Sequence, residues 1–563
     1  MKVSITFIYL LLLCFSLQHI ASQNLHLKIS STVDSENKVI DSIGYINKFP
    51  DYKSLENEIG LFHKKLQTLG FIENEINSTK KINDSTYASS FRLNDRFDTI
   101  YIYYNKNEVD ESIFKELVNT SNNDHFIISV LQLEELLTEI NKRIVANGQP
   151  FASLKLTDLK KKGNRLEASL KVNIDNKRTI DAIVIKGYEK FPKAFIKHFL
   201  GIRKGRSFNL EKIKKRSDGF DALVFANQTR SPEVLFTKDS TNLYLYIEKQ
   251  KANTFDGFLG FGSNEETNKI EFDGYLNLQL INNLNFGESF RLSYKSDEID
   301  QKTFDVNLNM PYILGSALGI EFNLNIFKKD STFTTVTQDA DLFYQISGSQ
   351  RIFAGISGLQ SNNLLNTTAN QDVKDYKSFF YKIKYDFFRP QFNSEFFREN
   401  FKLLVSVGTG SRTFDNTKQV QQIYALRAFK IFNLNKKNSI YINAKTSGIF
   451  SDDYFTNELL RFGGINSIRG FEENSLTATL YGVVNSEYRY QVNPTIFIHS
   501  IFDIAYLKND ITSQSENLFG FGFGFGIITN AGLLKFNYAN GKNEDQNFAL
   551  SNSKIHLSLN ANF

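Results

Sequence analysis

The sequence predicts small α+β repeats followed by an all-β transmembrane barrel of about sixteen antiparallel strands. Three observations carry that expectation. Up to Lys249 a strand, helical segments and two further strands recur about every 70 to 75 residues. Past Lys251 the helical period gives way to strict alternation of apolar and polar residues. Beyond the first residues no apolar run reaches the roughly 18 residues of a spanning helix, which leaves strands as the only way across a bilayer. Composition agrees: 53 Phe and 25 Tyr coexist with a mean hydropathy of −0.30, so apolar residues are abundant but dispersed among polar ones.

Residues 1–22 combine Lys2, an apolar core from Ile5 to Leu17 and the small residues Ala21 and Ser22, the pattern of a secretory signal peptide. A membrane anchor is the competing reading, but the core is shorter than the roughly 20 residues that spanning requires. Cys14, the only cysteine, lies in this segment. The mature chain is therefore expected to lack disulfides, thiolate metal sites and a catalytic thiol; Leu13 disfavours lipidation at Cys14. The net charge of +5 is small, and its basic residues read as spread, with one short run at Lys160, Lys161 and Lys162. A solvated surface accounts for that run, and no nucleic-acid partner is indicated.

Three repeats are expected at 23–97, 98–177 and 178–250. In the third, a strand over Thr179–Lys186 turns at Gly187. Helices follow at Phe191–Leu200 and Leu210–Phe225, the latter placing Ile213, Phe220 and Leu223 near one face, and strands at Val234–Phe236 and Leu243–Ile247 close the unit. The second repeat has its main helix at Leu131–Asn147, with a strand after Gly148, Gln149 and Pro150. The first has a helix at Tyr52–Leu69 and strands near Phe71–Asn77 and Tyr87–Leu93. This order, with Asn147-Gly148-Gln149-Pro150-Phe151-Ala152 and with Ile185-Lys186-Gly187, Phe195 and Gly201, resembles the POTRA domain. The resemblance implies a small mixed sheet whose edge accepts an extended client peptide by strand addition; inert spacers are the plainer alternative.

The segment 251–563 is expected to form the barrel. Phe290, Leu292 and Tyr294 alternate with Arg291, Ser293 and Lys295; Phe304, Val306, Leu308 and Met310 with Asp305, Asn307 and Asn309; Ile320, Phe322, Leu324 and Ile326 with Glu321, Asn323 and Asn325. At the end, Ile555, Leu557, Leu559, Ala561 and Phe563 alternate with His556, Ser558, Asn560 and Asn562. A soluble sandwich also alternates, but this many segments closed on themselves leave no open edge. Tyr294, Tyr312, Tyr381, Tyr385, Tyr488 and Tyr490 are candidates for interfacial girdles.

One stretch is more specific: Arg461-Phe462-Gly463-Gly464-Ile465-Asn466-Ser467-Ile468-Arg469-Gly470-Phe471, between predicted strands. With the repeats and the terminal Phe563, it resembles the signature loop of the BamA/TamA-like outer-membrane assembly-factor superfamily. The resemblance implies that Ile468, Arg469, Gly470 and Phe471 form a tip folded into the lumen, Arg469 anchoring it and Gly470 allowing a sharp turn. A buried arginine needs an anion. The element Phe502-Asp503-Ile504-Ala505 looks like its source, since Phe502, Ile504 and Tyr506 facing lipid would turn Asp503 inward. Glu487 is a second candidate. Gly520, Gly522, Gly524 and Gly526, alternating with phenylalanines, are expected to form a side-chain-free wall against the loop. By the same resemblance Lys554–Phe563 acts as the C-terminal insertion signal of the protein itself.

The implied function is that of a foldase in the Gram-negative outer membrane, its repeats in the periplasm collecting unfolded outer-membrane clients. The first strand carries Gly257, Gly260 and Gly262, so its closure with the last is expected to be weak, and that seam would template insertion. Outer-membrane lipids are expected partners, and accessory periplasmic or lipoprotein subunits fit the same plan. No cofactor, metal site or catalytic residue is indicated: seven His are scattered, and His499 and His556 read as lumen-lining. The alternative is a two-partner-type polypeptide translocation pore gated by the Arg469 loop, a plan that usually carries two repeats and a plug helix. A diffusion porin is the third reading, disfavoured by the repeats.

Overall fold

The computed structural model describes residues 24–105, 113, 117, 124–163, 165–263, 270–296, 301–365, 373–391, 396–529, 532–544 and 553–562. The expected leader and Phe563 lie outside the described residues. The chain divides into two compact units: one runs to Thr179 and includes Ser207–Asn209, and the other comprises Ile180–Arg206 and the chain from Leu210 onward.

The first unit contains two four-stranded mixed sheets, each with helices on one face. In the first sheet Leu25–Ser31 lies parallel to Thr86–Arg92, with Lys48–Phe49 and Glu75–Asn83 at the edges. Asp51 caps the helix Tyr52–Thr68 by accepting from the Ser54 amide at 2.7 Å. The helix buries Leu55, Ile59, Phe62 and Leu66, a stripe at helical spacing, against Leu27, Ile29 and Phe91. A second helix, Asp34–Ile43, escapes the sequence reading because only Ile40 among its residues is buried. In the next sheet Thr99–Tyr104 lies parallel to Arg165–Asn173, flanked by His125–Ser129 and Ser153–Lys162. The helix Leu133–Ala146 buries Leu136, Ile140 and Ile144 there.

The third sheet, in the second unit, has Thr241–Lys249 between Ala226–Phe236 and the parallel strand Ala182–Gly187. The helices expected here are shorter than predicted. Phe191–Leu200 reduces to a π-turn at Phe195–Phe199, begun just after Pro192, and Leu210–Phe225 is an α-helix only over Leu210–Ser217, followed by a 3-10 turn at Asp218–Ala222. Aromatic packing replaces helical regularity: Phe191 contacts Phe195, Phe220 and Phe225 at ring separations of 5.5 to 6.3 Å.

Sixteen antiparallel strands, from Thr254–Ser263 to Ser553–Asn562, follow in sequence order and close into a barrel. Apart from the junction of the first strand with the last, neighbouring strands pair along most of their length, which satisfies backbone donors and acceptors where water is absent. The strand Ile496–Asn509 shows the two faces most clearly. Phe497, His499, Ile501, Asp503 and Ala505 are buried inward, while Ile498, Phe502, Ile504 and Tyr506 remain exposed outward. An apolar belt on the outside with polar groups such as Asp341, Asp386, Arg412 and Gln421 inside is the inverse of a soluble core. The chain therefore has the architecture of an outer-membrane barrel.

Within the second unit the third sheet domain holds the turns between early barrel strands. Asn282, buried and with φ +57°, donates to the Tyr188 hydroxyl at 2.9 Å, and that hydroxyl donates to Asn285 at 2.6 Å. Burial raises the Tyr188 phenol above its ordinary pKa. Phe195 stacks edge-on against Tyr312 at 4.7 Å, and His198 bonds the Gly315 carbonyl at 3.0 Å. Tyr312 is thus buried under the repeat and is not part of an interfacial girdle, whereas Tyr381 and Tyr488 are exposed.

Candidate functional site: a loop tethered inside the barrel

Between the eleventh strand, Asn438–Phe450, and the twelfth, Leu480–Asn493, the chain makes a long excursion containing a small hairpin, Leu460–Phe462 paired with Leu476–Ala478. Three glycines shape it: Gly463, Gly464 and Gly470 have φ values of 115°, 88° and 94°, which side-chain-bearing residues rarely adopt. Phe462 stacks on Tyr481 at 4.4 Å, and Ile468 is completely buried with Val483, Ala505, Leu507 and Leu518. Apolar contact thus brings the loop to the inner wall.

The tip is then fixed by charge. Arg469 Nε donates to Asp503 Oδ2 at 2.8 Å and Nη2 to Asp503 Oδ1 at 2.6 Å, a planar two-point match, and the Arg469 amide adds a bond to Oδ2 at 3.0 Å. Nη1 donates to Glu487 Oε1. The other oxygen of Glu487 accepts from Arg489 Nε at 2.7 Å, and the Arg489 guanidinium lies 4.1 Å from the Phe397 ring centroid and 4.0 Å from that of Tyr441. All four charged groups are buried, Asp503 completely. Asn485 adds a bond from its amide to the Ser467 carbonyl at 2.7 Å.

The glycines predicted as one wall do different things. A Cβ at Gly520 would stand 2.3 Å from the Arg469 carbonyl, so this position does face the loop. The nearest atoms at Gly524 are those of Asn537 and His499, at Gly526 the Phe497 ring, and at Gly522 the backbone of the neighbouring strand. The second loop-facing glycine is Gly541, one strand further on, where a Cβ would meet the Gly470 carbonyl at 2.5 Å. Sequence reasoning missed it, as it missed Arg489, although Arg489 follows Glu487 by two residues and so shares its face. His499 faces the lumen and bonds Asn537 at 2.8 Å; His556 is paired in register with Asn537.

Gly470→Ala is expected to cost about 1 to 3 kcal/mol. Its φ is unfavourable, and the new Cβ would lie 2.3 Å from the Gly541 amide nitrogen. A lowered unfolding temperature in detergent checks this; an unchanged one means the tip has room that these distances deny.

Two further tethers hold the base of the excursion. Arg412 donates to Glu458 at 2.5 Å, binds Gln419 and Asp453, and lies over the Phe455 ring at 3.8 Å. Asn457 donates to Ser361 at 2.8 Å and to the Lys374 carbonyl at 2.7 Å. Arg461 sits between the rings of Phe327 and Phe333, 4.8 Å from each centroid. Beside it is a cavity of about 480 Å³ lined by hydroxyls and rings, among them Ser378, Tyr376 and Phe380.

No family model matches this sequence, and no curated relative does. Solved structures do resemble it in fold. CdiB from Escherichia coli aligns over 89% of this chain and 98% of its own at 12% identity and a TM-score of 0.53. CdiB from Acinetobacter baumannii aligns over 90% and 98% at 14% identity and a TM-score of 0.52. BamA from Haemophilus ducreyi lacking POTRA domains 1–3 covers 83% of this chain at 12% identity and a TM-score of 0.48. The chain therefore shares the fold of these CdiB structures, in which nearly the whole of each chain aligns with it.

Proposed function

We propose that the protein is an outer-membrane assembly factor that collects unfolded barrel clients on its POTRA repeats and templates their insertion at its barrel seam. The observation that supports this reading most is the seam itself. Among the described residues the first strand joins the last only through Thr254 with Asn562 and Phe255 with Ala561. Its other edge pairs along its whole length, from Thr254 with Gln279 to Ser263 with Ile270. Most of that edge is thus available to a client strand, and strand addition supplies backbone hydrogen bonds without requiring a particular client sequence. In this reading the repeats lie in the periplasm, and Arg469 with Ile468, Gly470 and Phe471 anchors the loop, Asp503 and Glu487 being its partners.

A polypeptide pore gated by the same loop is the second reading. The polar lumen favours it, with Lys384 between Glu321 and Asp341 at 2.8 and 3.1 Å. Depletion separates the two: loss of many unrelated outer-membrane barrels is expected for an assembly factor. Loss of a single secreted polypeptide, with the other barrels intact, would replace it with the pore.

A further inference from the structure

Charge is distributed unevenly along this chain. From Lys186 to Arg216 there are eleven Lys or Arg against only Glu189 and Glu211, a local excess of nine, although the whole protein carries +5. The remainder is net acidic, so the impression of dispersed basic residues is wrong for this segment. All eleven except Arg216 are exposed. Lys186, Lys190, Lys193, Lys197, Lys204 and Lys215 form no ion pair among the described residues. A solvated face is the ordinary fate of such a run, but two placements set this one apart.

First, the segment is held to the rim of the barrel. Phe195 and His198 lie within it and contact Tyr312 and Gly315 of the turn between the fourth and fifth strands. Lys197 precedes His198, and Arg203 Nε returns to the Lys197 carbonyl at 3.2 Å. Second, the rim turns that this domain holds expose apolar side chains. Leu284 and Phe286 are each 65% exposed beside the turn residues bonded to Tyr188, and Leu314 is fully exposed beside Gly315. Water alone does not favour such tips. Apolar and aromatic tips at the end of lipid-facing strands, next to uncompensated cations, match the two chemistries of a membrane interface.

We propose that this face of the third repeat is a headgroup-binding surface. Lys193, Lys197, Arg203 and Lys204 engage the phosphoryl groups of anionic phospholipids in the leaflet bordering the strand turns, while Leu284, Phe286 and Leu314 enter its interfacial layer. The consequence is mechanical: a domain gripped by both the rim and the leaflet keeps a fixed orientation to the bilayer. The proposal rests on the reading that the barrel spans a bilayer, and failure of the full chain to incorporate into lipid nanodiscs would expose that separately.

The test uses the full chain carrying Lys190→Cys, labelled with a fluorophore, in nanodiscs whose lipid headgroups bear a nitroxide quencher. Phosphatidylcholine discs are compared with discs containing phosphatidylglycerol. Quenching is expected to be strong only with phosphatidylglycerol and to fade as salt rises to about 0.5 M, where screening acts within a few ångströms. Lys197→Glu with Arg203→Glu is expected to weaken it at least roughly fivefold for each charge lost. Quenching that is absent, or equal in both lipids, overturns the proposal. So does a charge-reversed protein that keeps its lipid signal but loses an acidic protein partner, which would assign the face to that partner instead.

Discussion

Arg469→Ala is expected to destabilise the barrel by about 3 to 5 kcal/mol, the cost of leaving a buried carboxylate without its counter-charge. Asp503 is completely buried, and the three bonds it accepts from this arginine are its only ones to a cation among the described residues. Glu487 is better placed, because Arg489 continues to hold its second oxygen. The damage should therefore be asymmetric. Removing Arg469 strands Asp503, whereas Asp503→Ala leaves Arg469 still paired with Glu487 and costs less.

The double variant Arg469→Ala with Asp503→Ala should recover part of the loss, since no unpaired charge then remains on the inner wall. Unfolding followed by the gel shift between folded and denatured barrels gives all three values. An Arg469→Ala protein as stable as the parent would show that the tip is not held by charge. A double variant no better than the sum of the singles would show that the two groups do not act as a pair.

What was legible beforehand follows from which interactions obey a local period. Alternation alone turns Asp503 inward once Phe502 and Ile504 are assigned to lipid, and the structure places it there. The same rule would have found Arg489 from Glu487, had it been applied to Leu480–Asn493. Gly541 lies in a strand whose interior carries no repeating glycine, so its role depends on where the loop tip lands. Arg412 and Glu458 are separated by a hairpin and a turn, and nothing in either neighbourhood announces the other. Tyr312 reads as an ordinary strand-end aromatic; only the docked third domain explains its burial. The helix expected over Phe191–Leu200 shortens to the π-turn at Phe195–Phe199 for the same reason, because packing against the rim decides its geometry more than propensity does.

The seam lends itself to a sharper experiment. Each ladder hydrogen bond contributes a net of about 0.5 to 1.5 kcal/mol. A junction confined to Thr254 with Asn562 and Phe255 with Ala561 therefore resists opening by only a few kcal/mol, within the range of local opening in a stable native state. Cysteines at Thr254 and Asn562, which are direct partners, would replace that weak junction with a covalent one. The chain's only native cysteine, Cys14, lies in the expected leader and does not compete. With the pair oxidised, insertion of an unfolded barrel client into proteoliposomes is expected to fall to the rate of empty vesicles, and reductant should restore it. A matched pair at Ser289 and Asn309, facing partners inside the continuous wall, should have no effect because those strands need not separate. If the oxidised seam inserts clients as fast as the reduced one, a client strand does not enter between the first and last strands, and the edge left open there serves some other purpose.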